Sequence, residues 1–191
     1  MKLFFDTETT GIPKNYNAPV SDVENYPRLV QLGFIVMDEE NTVFQKEYII
    51  KPEGFEIPAG ASNVHGITTE KAISEGVPIK DVVDEFATWI EKCSTIVGHN
   101  VSFDVNVVGA EYWRLYQKNP FDGKNMVCTM KSSTNFCELP GGRPFKYPKL
   151  FELYRKLFDK DMGAAHTALQ DIQNTVTCYF ALIEKGVIKE N

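Results

Sequence analysis

The sequence has little of the basic charge that proteins use to hold long duplex DNA. Its 191 residues include 20 Lys and Arg against 26 Asp and Glu, which gives a net charge of −6 and a pI near 5.2. Neutralisation of phosphates by Lys and Arg dominates binding to duplex DNA, so a broad DNA-binding face is a poor match to this composition. A nucleic-acid enzyme is still compatible with it, because bound metal ions can supply positive charge locally.

Zinc-type cysteine patterns and long apolar runs are also missing. The cysteines show no zinc spacing and no C-x-x-C pair, which predicts reduced, buried thiols at Cys93, Cys128, Cys137 and Cys178. Only three apolar residues separate Lys2 from Asp6, too few for the core of a signal peptide. No stretch approaches the roughly 20 apolar residues that span a bilayer. We therefore expect a cytoplasmic protein without a membrane segment.

Repeats, low-complexity tracts and interdomain linkers are absent as well. Hydrophobic residues make up 43% and charged residues 24% of the chain, which is typical of a soluble globular protein. The length suits one domain with a full core, and we expect that domain to cover residues 1–191.

The first quarter of the chain predicts three strands. Residues 3–6 form a short apolar segment, residues 12–27 carry the Pro, Asn and Asp typical of a loop, and residues 28–37 and 43–50 are rich in sheet-forming side chains. A turn at Glu40-Asn41 would make the connection between the last two strands short, which favours antiparallel pairing.

Helices and short strands alternate in the remainder. Apolar residues recur at helical spacing after Pro78, over residues 79–93, and Pro is favoured at a helix start. Further predicted elements are strands over 95–98 and 126–129 and helices over 103–116, 149–158 and 167–185. This order predicts a mixed sheet with helices packed against it.

Asp6 and Glu8 close the first strand, within the run Asp6-Thr7-Glu8-Thr9-Thr10-Gly11. Residues two apart on a strand point to the same face, so the two carboxylates form a pair of hard oxygen ligands suited to Mg²⁺ or Mn²⁺. A solvated turn at a strand end is the alternative, and two acids at this spacing do not exclude it.

Two more runs carry acids in comparable positions. Asp104 falls in the first turn of a predicted helix, after Gly98-His99-Asn100-Val101-Ser102-Phe103, where the helix dipole alone favours a carboxylate. Ser102 or Asn100 is a candidate cap of that helix. Near the C-terminus, Asp171 lies five residues after His166, which places the histidine at or just before the start of the last helix.

Together and in this order, the three runs resemble the exonuclease motifs of the DnaQ-like, DEDD-type 3′→5′ exonucleases. The resemblance extends from Phe4 to Asn174. It implies an α/β, ribonuclease H-like fold, with a mixed central sheet of five strands, three antiparallel and then two parallel, flanked by helices. Carried over one by one, the metal ligands of the family correspond to Asp6, Glu8, Asp104 and Asp171. His166 matches the histidine (DEDDh) branch, since the tyrosine branch would carry its tyrosine at Thr167.

The resemblance also implies a mechanism. Two Mg²⁺ or Mn²⁺ ions per site would be held by the four acids, with Asp6 shared between them. His166 would take a proton from the attacking water near neutral pH. The products would be nucleoside 5′-monophosphates, released from the 3′ end of DNA or RNA. The family positions that hold the terminal nucleotide correspond to Thr9, Ile12, Ile67, Asn100 and Phe103.

Other segments of the chain are candidates for contacts with the substrate or for elements next to its site. Residues 28–32 resemble the second strand of the family, and residues 63–68 resemble a loop that lines the nucleotide site. The loop over residues 12–27 is longer than in the shortest family members. Basic and aromatic residues alternate in a later segment that could guide a single strand, although a solvated loop is the favoured interpretation (Arg143, Lys146 and Lys149).

The expected partner is nucleic acid with a free 3′ end, and the acidic charge favours single-stranded DNA. A proofreading subunit bound to a DNA polymerase and an exoribonuclease of the same fold are alternatives, although the 20 residues after Asp171 leave little room for a polymerase-binding tail. A non-catalytic binding module is disfavoured because no predicted ligand is missing. The oligomeric state is left open.

Overall fold

The structure is a computed structural model that describes residues 1–142, 144–163 and 168–189. The strands are β1 (Lys2–Thr9), β2 (Leu29–Asp38), β3 (Asn41–Ile49), β4 (Thr95–Gly98) and β5 (Asn125–Cys128). The helices are α1 (Ala59–His65), α2 (Thr69–Glu75), α3 (Ile79–Lys92), α4 (Val101–Tyr116), α5 (Thr129–Ser132), α6 (Thr134–Cys137), α7 (Leu150–Phe158) and α8 (Ala168–Glu184), with a short 3-10 helix at Val23–Asn25.

The five strands form one sheet in the order β3-β2-β1-β4-β5. The pairs β1–β2 and β2–β3 are antiparallel, whereas β1–β4 and β4–β5 are parallel. This is the predicted mixed sheet, and the predicted fold class is confirmed. β2 is buried at nine consecutive positions from Leu29 to Met37, as expected of a strand covered on both faces.

Alternation along β1 sends successive side chains into two cores. Phe5 packs with Phe86 of α3 at a ring-centroid distance of 5.2 Å, on the face that α3 and α4 cover. Phe4 packs with Tyr179 of α8, also at 5.2 Å, on the opposite face. Because side chains on a strand repeat every second residue, Asp6 and Glu8 continue the face of Phe4 beneath α8, and Thr7 continues the face of α4.

Several predicted boundaries shift and some elements are new. The turn after β2 lies at Glu39 and Glu40, one residue earlier than predicted, and Glu39 has a positive φ of 53°. α4 begins at Val101, two residues earlier than predicted, and its N-cap Asn100 makes no side-chain capping bond. The last helix begins at Ala168 among the described residues, since Thr167 lies outside them.

The prediction of a loop over residues 63–68 is wrong for its first half. Asn63, Val64 and His65 belong to α1, and Gly66 ends that helix with a φ of 74°. Thr68 then caps α2 by accepting a hydrogen bond from the Lys71 N–H at 3.2 Å. Helices of seven residues carry too few turns to produce a helical pattern of apolar residues, which is why the sequence did not reveal them.

Two predictions about composition can be compared with the structure. All four cysteines are buried and none forms a disulfide, as predicted. No helix in the described part of the chain is long and apolar enough to cross a membrane.

Candidate active site

Asp6 and Glu8 lie at the C-terminal end of β1, in the middle of the sheet. Asp6 pairs with Gly33 and Glu8 pairs with Gln31, after which the register shifts so that Thr9 pairs with Leu29. This irregularity turns the chain away from the sheet directly after the two acids, a common feature next to active sites.

Asp104 reaches the same strand from α4. Its side chain is only 3% exposed, and its Oδ1 accepts hydrogen bonds from the Thr7 N–H at 3.1 Å and the Thr7 hydroxyl at 2.7 Å. Thr7 therefore holds the third acid while its two neighbours point to the opposite face. The sequence analysis did not identify this role, although the middle position of the Asp6-Thr7-Glu8 run was a signal for it.

Asp171 is carried by the first turn of α8, which lies unusually close to the sheet. A Cβ on Gly33 would lie 2.8 Å from Ile172 Cδ1 and 3.3 Å from Ala168 Cβ, so the absence of a side chain there permits the close packing. Glu47 on β3 accepts a hydrogen bond from the Leu169 N–H at 2.9 Å and so satisfies a free donor at the start of α8.

The acids perturb one another strongly. Burial, followed by the charges of Asp104, Glu8 and Asp171, raises the pKa of Asp6 well above its usual value. Burial and then the charge of Asp171 raise the pKa of Glu8 to about 7. Burial also raises the pKa of Asp104 to about 7, against the lowering effect of the Thr7 hydrogen bonds. The four predicted ligands thus share one electrostatic environment.

These carboxylates do not converge on a single point. Within residues 1–142, 144–163 and 168–189, no three His, Cys, Asp or Glu side chains form a ready-made metal-binding group. The donor set nevertheless fits hard divalent cations, which prefer carboxylate oxygens and relieve repulsion between neighbouring acids. His166, the predicted base, lies outside the described residues.

A cavity of about 340 Å³ opens beside Glu8 and contains three of the five predicted nucleotide-binding residues, Thr9, Ile12 and Phe103. Asn100 lines a neighbouring cavity of about 570 Å³ that also includes Phe103. Ile67 lines neither: it is 3% exposed and packs in a small core under α1 and α2. The prediction that Ile67 touches the nucleotide therefore lacks support, because neighbouring apolar side chains cover it.

Ile67 instead orients His65, which lines the first cavity. The Ile67 N–H donates to His65 Nδ1 at 3.1 Å, so the neutral ring carries its proton on Nε2. Burial lowers the pKa of His65 and keeps the ring neutral around pH 7.

Known proteins share both the sequence pattern and the fold. Over 116 residues, 61% of this chain, it is 30% identical to the DNA polymerase III subunit epsilon of Buchnera aphidicola subsp. Acyrthosiphon pisum, covering 46% of that protein. Over 112 residues, 59% of this chain, it is 30% identical to the DNA polymerase III PolC-type of Pediococcus pentosaceus, covering 7% of it. The chain thus spans about half the length of the epsilon subunits that it matches.

The solved structures agree on the fold. Escherichia coli Exonuclease I in complex with a dT13 oligonucleotide superposes with a TM-score of 0.74 at 21% identity, covering 96% of this chain and 40% of that one. The profile of the RNase_T family, described as exonuclease, matches residues 3–179. With this match over nearly its whole length, the chain belongs to the RNase_T exonuclease family, the DnaQ-like group of the ribonuclease H-like superfamily.

Proposed function

We propose that this chain is a metal-dependent 3′→5′ exonuclease that acts on DNA with a free, single-stranded 3′ end and releases nucleoside 5′-monophosphates. The observation that carries the proposal is that the charges of Glu8, Asp104 and Asp171, which come from three different elements, all act on Asp6. Like charges concentrated in a partly buried site oppose folding, so a fold gains nothing from them without a ligand.

The arrangement of the acids supports a site for two cations. Two Mg²⁺ or Mn²⁺ ions held here would stabilise the attacking and leaving oxygens of an in-line displacement at phosphorus. Asp6, which all three other acids affect, is suited to be shared by both ions. Glu8, whose pKa the charge of Asp171 raises, would hold one ion together with Asp171, and Asp104, held by Thr7, would hold the other.

The remaining roles belong to side chains around the acids. His166 would accept the proton of the attacking water, because an imidazole can do so near neutral pH. The cavity beside Glu8 would take the terminal nucleotide, with Phe103 and the 71%-exposed Ile12 packed against its base or sugar. Such contacts tolerate any base, as an exonuclease requires.

A proofreading role is the runner-up. It is favoured by the similarity to epsilon subunits and PolC-type polymerases of DNA polymerase III. A proofreading enzyme removes mispaired 3′ ends and works beside a polymerase, so the ratio of activity on mispaired ends to activity on free single strands separates it from a nuclease of free single strands.

The test is a degradation assay on 5′-labelled substrates with Mg²⁺ or Mn²⁺. The substrates are single-stranded DNA, duplexes with paired or mispaired recessed 3′ ends, and RNA of the same sequence. The variants are Asp6→Asn and His166→Ala, with Asp38→Asn as the matched control, since Asp38 is an exposed carboxylate at the opposite end of the sheet.

We expect a ladder of products shortened from the 3′ end by the wild type and by Asp38→Asn. Asp6→Asn should be inactive, and His166→Ala should lose about 100-fold or more in rate. Full activity of Asp6→Asn would refute the assignment of the site. Internal cuts would replace the exonuclease by an endonuclease, and faster attack on mispaired ends than on free strands would favour the proofreading alternative.

A further inference from the structure

A second, larger cavity adjoins the one proposed for the terminal nucleotide. It has a volume of about 570 Å³ and shares Phe103 with the first cavity, so the two adjoin at that residue. Its other walls include Tyr16, Asn17, Asn100, Lys131 and Tyr147. We call this second cavity the outer groove.

One wall of the outer groove is a loop whose shape is fixed by its own hydrogen bonds. Asn25, 6% exposed, accepts from the Asn15 N–H at 2.7 Å and donates to the Asn15 carbonyl at 2.9 Å. Arg114 of α4 donates to the carbonyls of Val23 at 2.5 Å and Tyr26 at 3.2 Å. Tyr16 is therefore held at the rim by an ordered loop, and its side chain is still 58% exposed.

Another part of the lining carries a second exposed ring. Tyr147 is also 58% exposed, and the next residue, Pro148, accepts a hydrogen bond from His99 Nε2 at 3.0 Å. The other nitrogen of His99 accepts from the Thr129 hydroxyl at 3.0 Å, and burial, which lowers the pKa of His99, keeps the ring in this neutral form. His99 thereby ties the segment that carries Tyr147 to the start of α4.

The charge of the outer groove differs from that of the whole protein. The protein carries a net charge of −6, yet no Asp or Glu is among the described residues that line this groove. Lys131 supplies one positive charge. Its ammonium donates to the Ser102 hydroxyl at 3.2 Å, and no carboxylate of the described residues lies within salt-bridge distance of it.

The basic segment singled out in the sequence makes a different contribution from the one considered there. Lys146 pairs with Glu152 at 2.6 Å, so its charge is already neutralised. The Lys149 N–H donates to the same carboxylate at 2.8 Å, at the start of α7, and Arg143 lies outside the described residues. Of the two aromatic residues in this segment, Tyr147 lines the outer groove.

We propose that the outer groove binds the nucleotides immediately 5′ of the terminal nucleotide on a single strand. Their bases would stack on Tyr16 and Tyr147, and Lys131 would contact a phosphate. Stacking needs an open base face, so this groove selects unpaired 3′ ends that are longer than one nucleotide. The inference rests on the proposed exonuclease function and adds the source of its strand preference.

The test compares a substrate long enough to occupy both cavities with one that occupies only the first. A dT octamer would fill both cavities, whereas the p-nitrophenyl ester of thymidine 5′-monophosphate would fill only the cavity beside Glu8. The variants are Tyr16→Ala, Tyr147→Ala and Lys131→Gln, with Tyr16→Phe and Tyr147→Phe as conservative versions. Phe151→Ala and Lys118→Gln are controls, because both residues are exposed and lie outside the outer groove.

We expect each Tyr→Ala change to lower kcat/KM for the octamer about five- to a hundredfold, while hydrolysis of the ester stays within about twofold of wild type. Tyr→Phe variants and both controls should match wild type on both substrates. Lys131→Gln should reduce the slope of log Kd against log salt by about 0.7, the value of one phosphate contact on a single strand.

The two substrates also distinguish a failure of the outer-groove proposal from a failure of the exonuclease proposal. If the variants degrade the octamer at the wild-type rate, the outer groove is not a strand-binding site and the exonuclease proposal is unaffected. If a variant loses activity on both substrates equally, its effect lies at the catalytic centre, and this too refutes the groove. If the wild type hydrolyses neither substrate, the proposed function itself fails.

Discussion

Thr7 stands between two candidate metal ligands on β1 and holds a third one on α4. Its N–H and its hydroxyl both donate to Asp104 Oδ1, so one residue links the strand to the helix at the site. Groups that orient a ligand in this way commonly contribute ten- to a hundredfold in metal affinity or activity.

Replacing Thr7 by Val tests that role while keeping the shape of the side chain. The variant retains the N–H bond and loses the hydroxyl bond, so Asp104 should be oriented less well and should bind a proton more readily. We expect Mg²⁺ affinity, measured by the shift in melting temperature with concentration, to fall about tenfold. Thr7→Ser keeps the hydroxyl and should behave like the wild type. A wild-type Mg²⁺ response in Thr7→Val would mean that Asp104 needs no such support.

The pKa of Glu8 makes a prediction about folding without metal. Its value in the folded protein is raised from 4.5 to about 7 by burial and by the charge of Asp171. The folded state therefore binds more protons than the unfolded state between about pH 4.5 and pH 7, so stability must fall as the pH rises through this window. The cause is the cost of ionising Glu8 beside another acid.

Glu8→Gln removes the ionisable carboxyl group, so the variant should lose less stability than the wild type as the pH rises. In EDTA, the wild type should lose about 2 kcal/mol of unfolding free energy relative to Glu8→Gln between pH 4.5 and pH 7.5, measured by urea denaturation. Added Mg²⁺ should restore the wild type at pH 7.5 and should stabilise the variant less. Two results would argue against a charged metal site. One is an unfolding free energy that changes equally with pH in the two proteins, and the other is a wild-type unfolding free energy that is the same in Mg²⁺ and in EDTA.

At the scale of elements, the site depends on how closely α8 lies on the sheet. Gly33 pairs with Asp6 on one side and with Glu47 on the other, so all three residues form one row across β1, β2 and β3. In this row, Glu47 accepts a hydrogen bond from the start of α8, and Gly33 leaves room for the first turns of that helix. Asp6 lies within the electrostatic influence of Asp171, the acid that α8 carries.

Gly33→Ala should therefore disturb activity by displacing α8. The added methyl would lie 2.8 Å from Ile172 Cδ1, so either the Ile172 side chain or the whole helix has to move. Overpacking of this kind typically costs about 1–3 kcal/mol of stability. We expect a loss of exonuclease activity at temperatures where the variant is still folded by circular dichroism.

The double variant Gly33→Ala/Ile172→Val provides the matched rescue, because it removes the methyl group that clashes. Recovery of activity in the double variant would locate the effect at this contact. Loss of activity that the second change does not relieve would show that Gly33 has another role.

The same elements show what the sequence could predict. The strands and the longer helices carry strong apolar patterns, and their order was sufficient to predict a mixed sheet. The resemblance to the exonuclease family supplied the arrangement of three antiparallel and two parallel strands. Gly33 and Glu47 could not be identified, because their importance lies in contacts between residues far apart in the chain, such as the 122 positions between Glu47 and Leu169. Asn100 was one of two candidate caps of α4, and its positive φ of 73° and its place in the outer groove depend on the tertiary structure.

For the whole molecule, the net charge and the lining of the outer groove both favour a short, flexible single strand as the substrate. A protein with a net charge of −6 repels a polyanion at long range, and four of its carboxylates belong to the candidate site, where the substrate has to react. Bound cations would offset that repulsion locally. Away from them, the outer groove offers aromatic rings and one lysine, which suit a few nucleotides of a flexible strand better than the regular phosphate rows of a duplex.

The dependence of binding on salt measures this balance directly. With Asp6→Asn to prevent cleavage and a constant Mg²⁺ concentration, the affinity for a dT octamer would be followed by fluorescence anisotropy as KCl is raised. One to three phosphate contacts predict a slope of log K against log salt between about −0.7 and −2, because each contact on a single strand contributes about −0.7. A duplex of the same length should bind more weakly at every salt concentration. A slope steeper than about −4, or tighter binding of the duplex, would require a basic surface that these contacts do not provide, and the single-strand assignment would then be wrong.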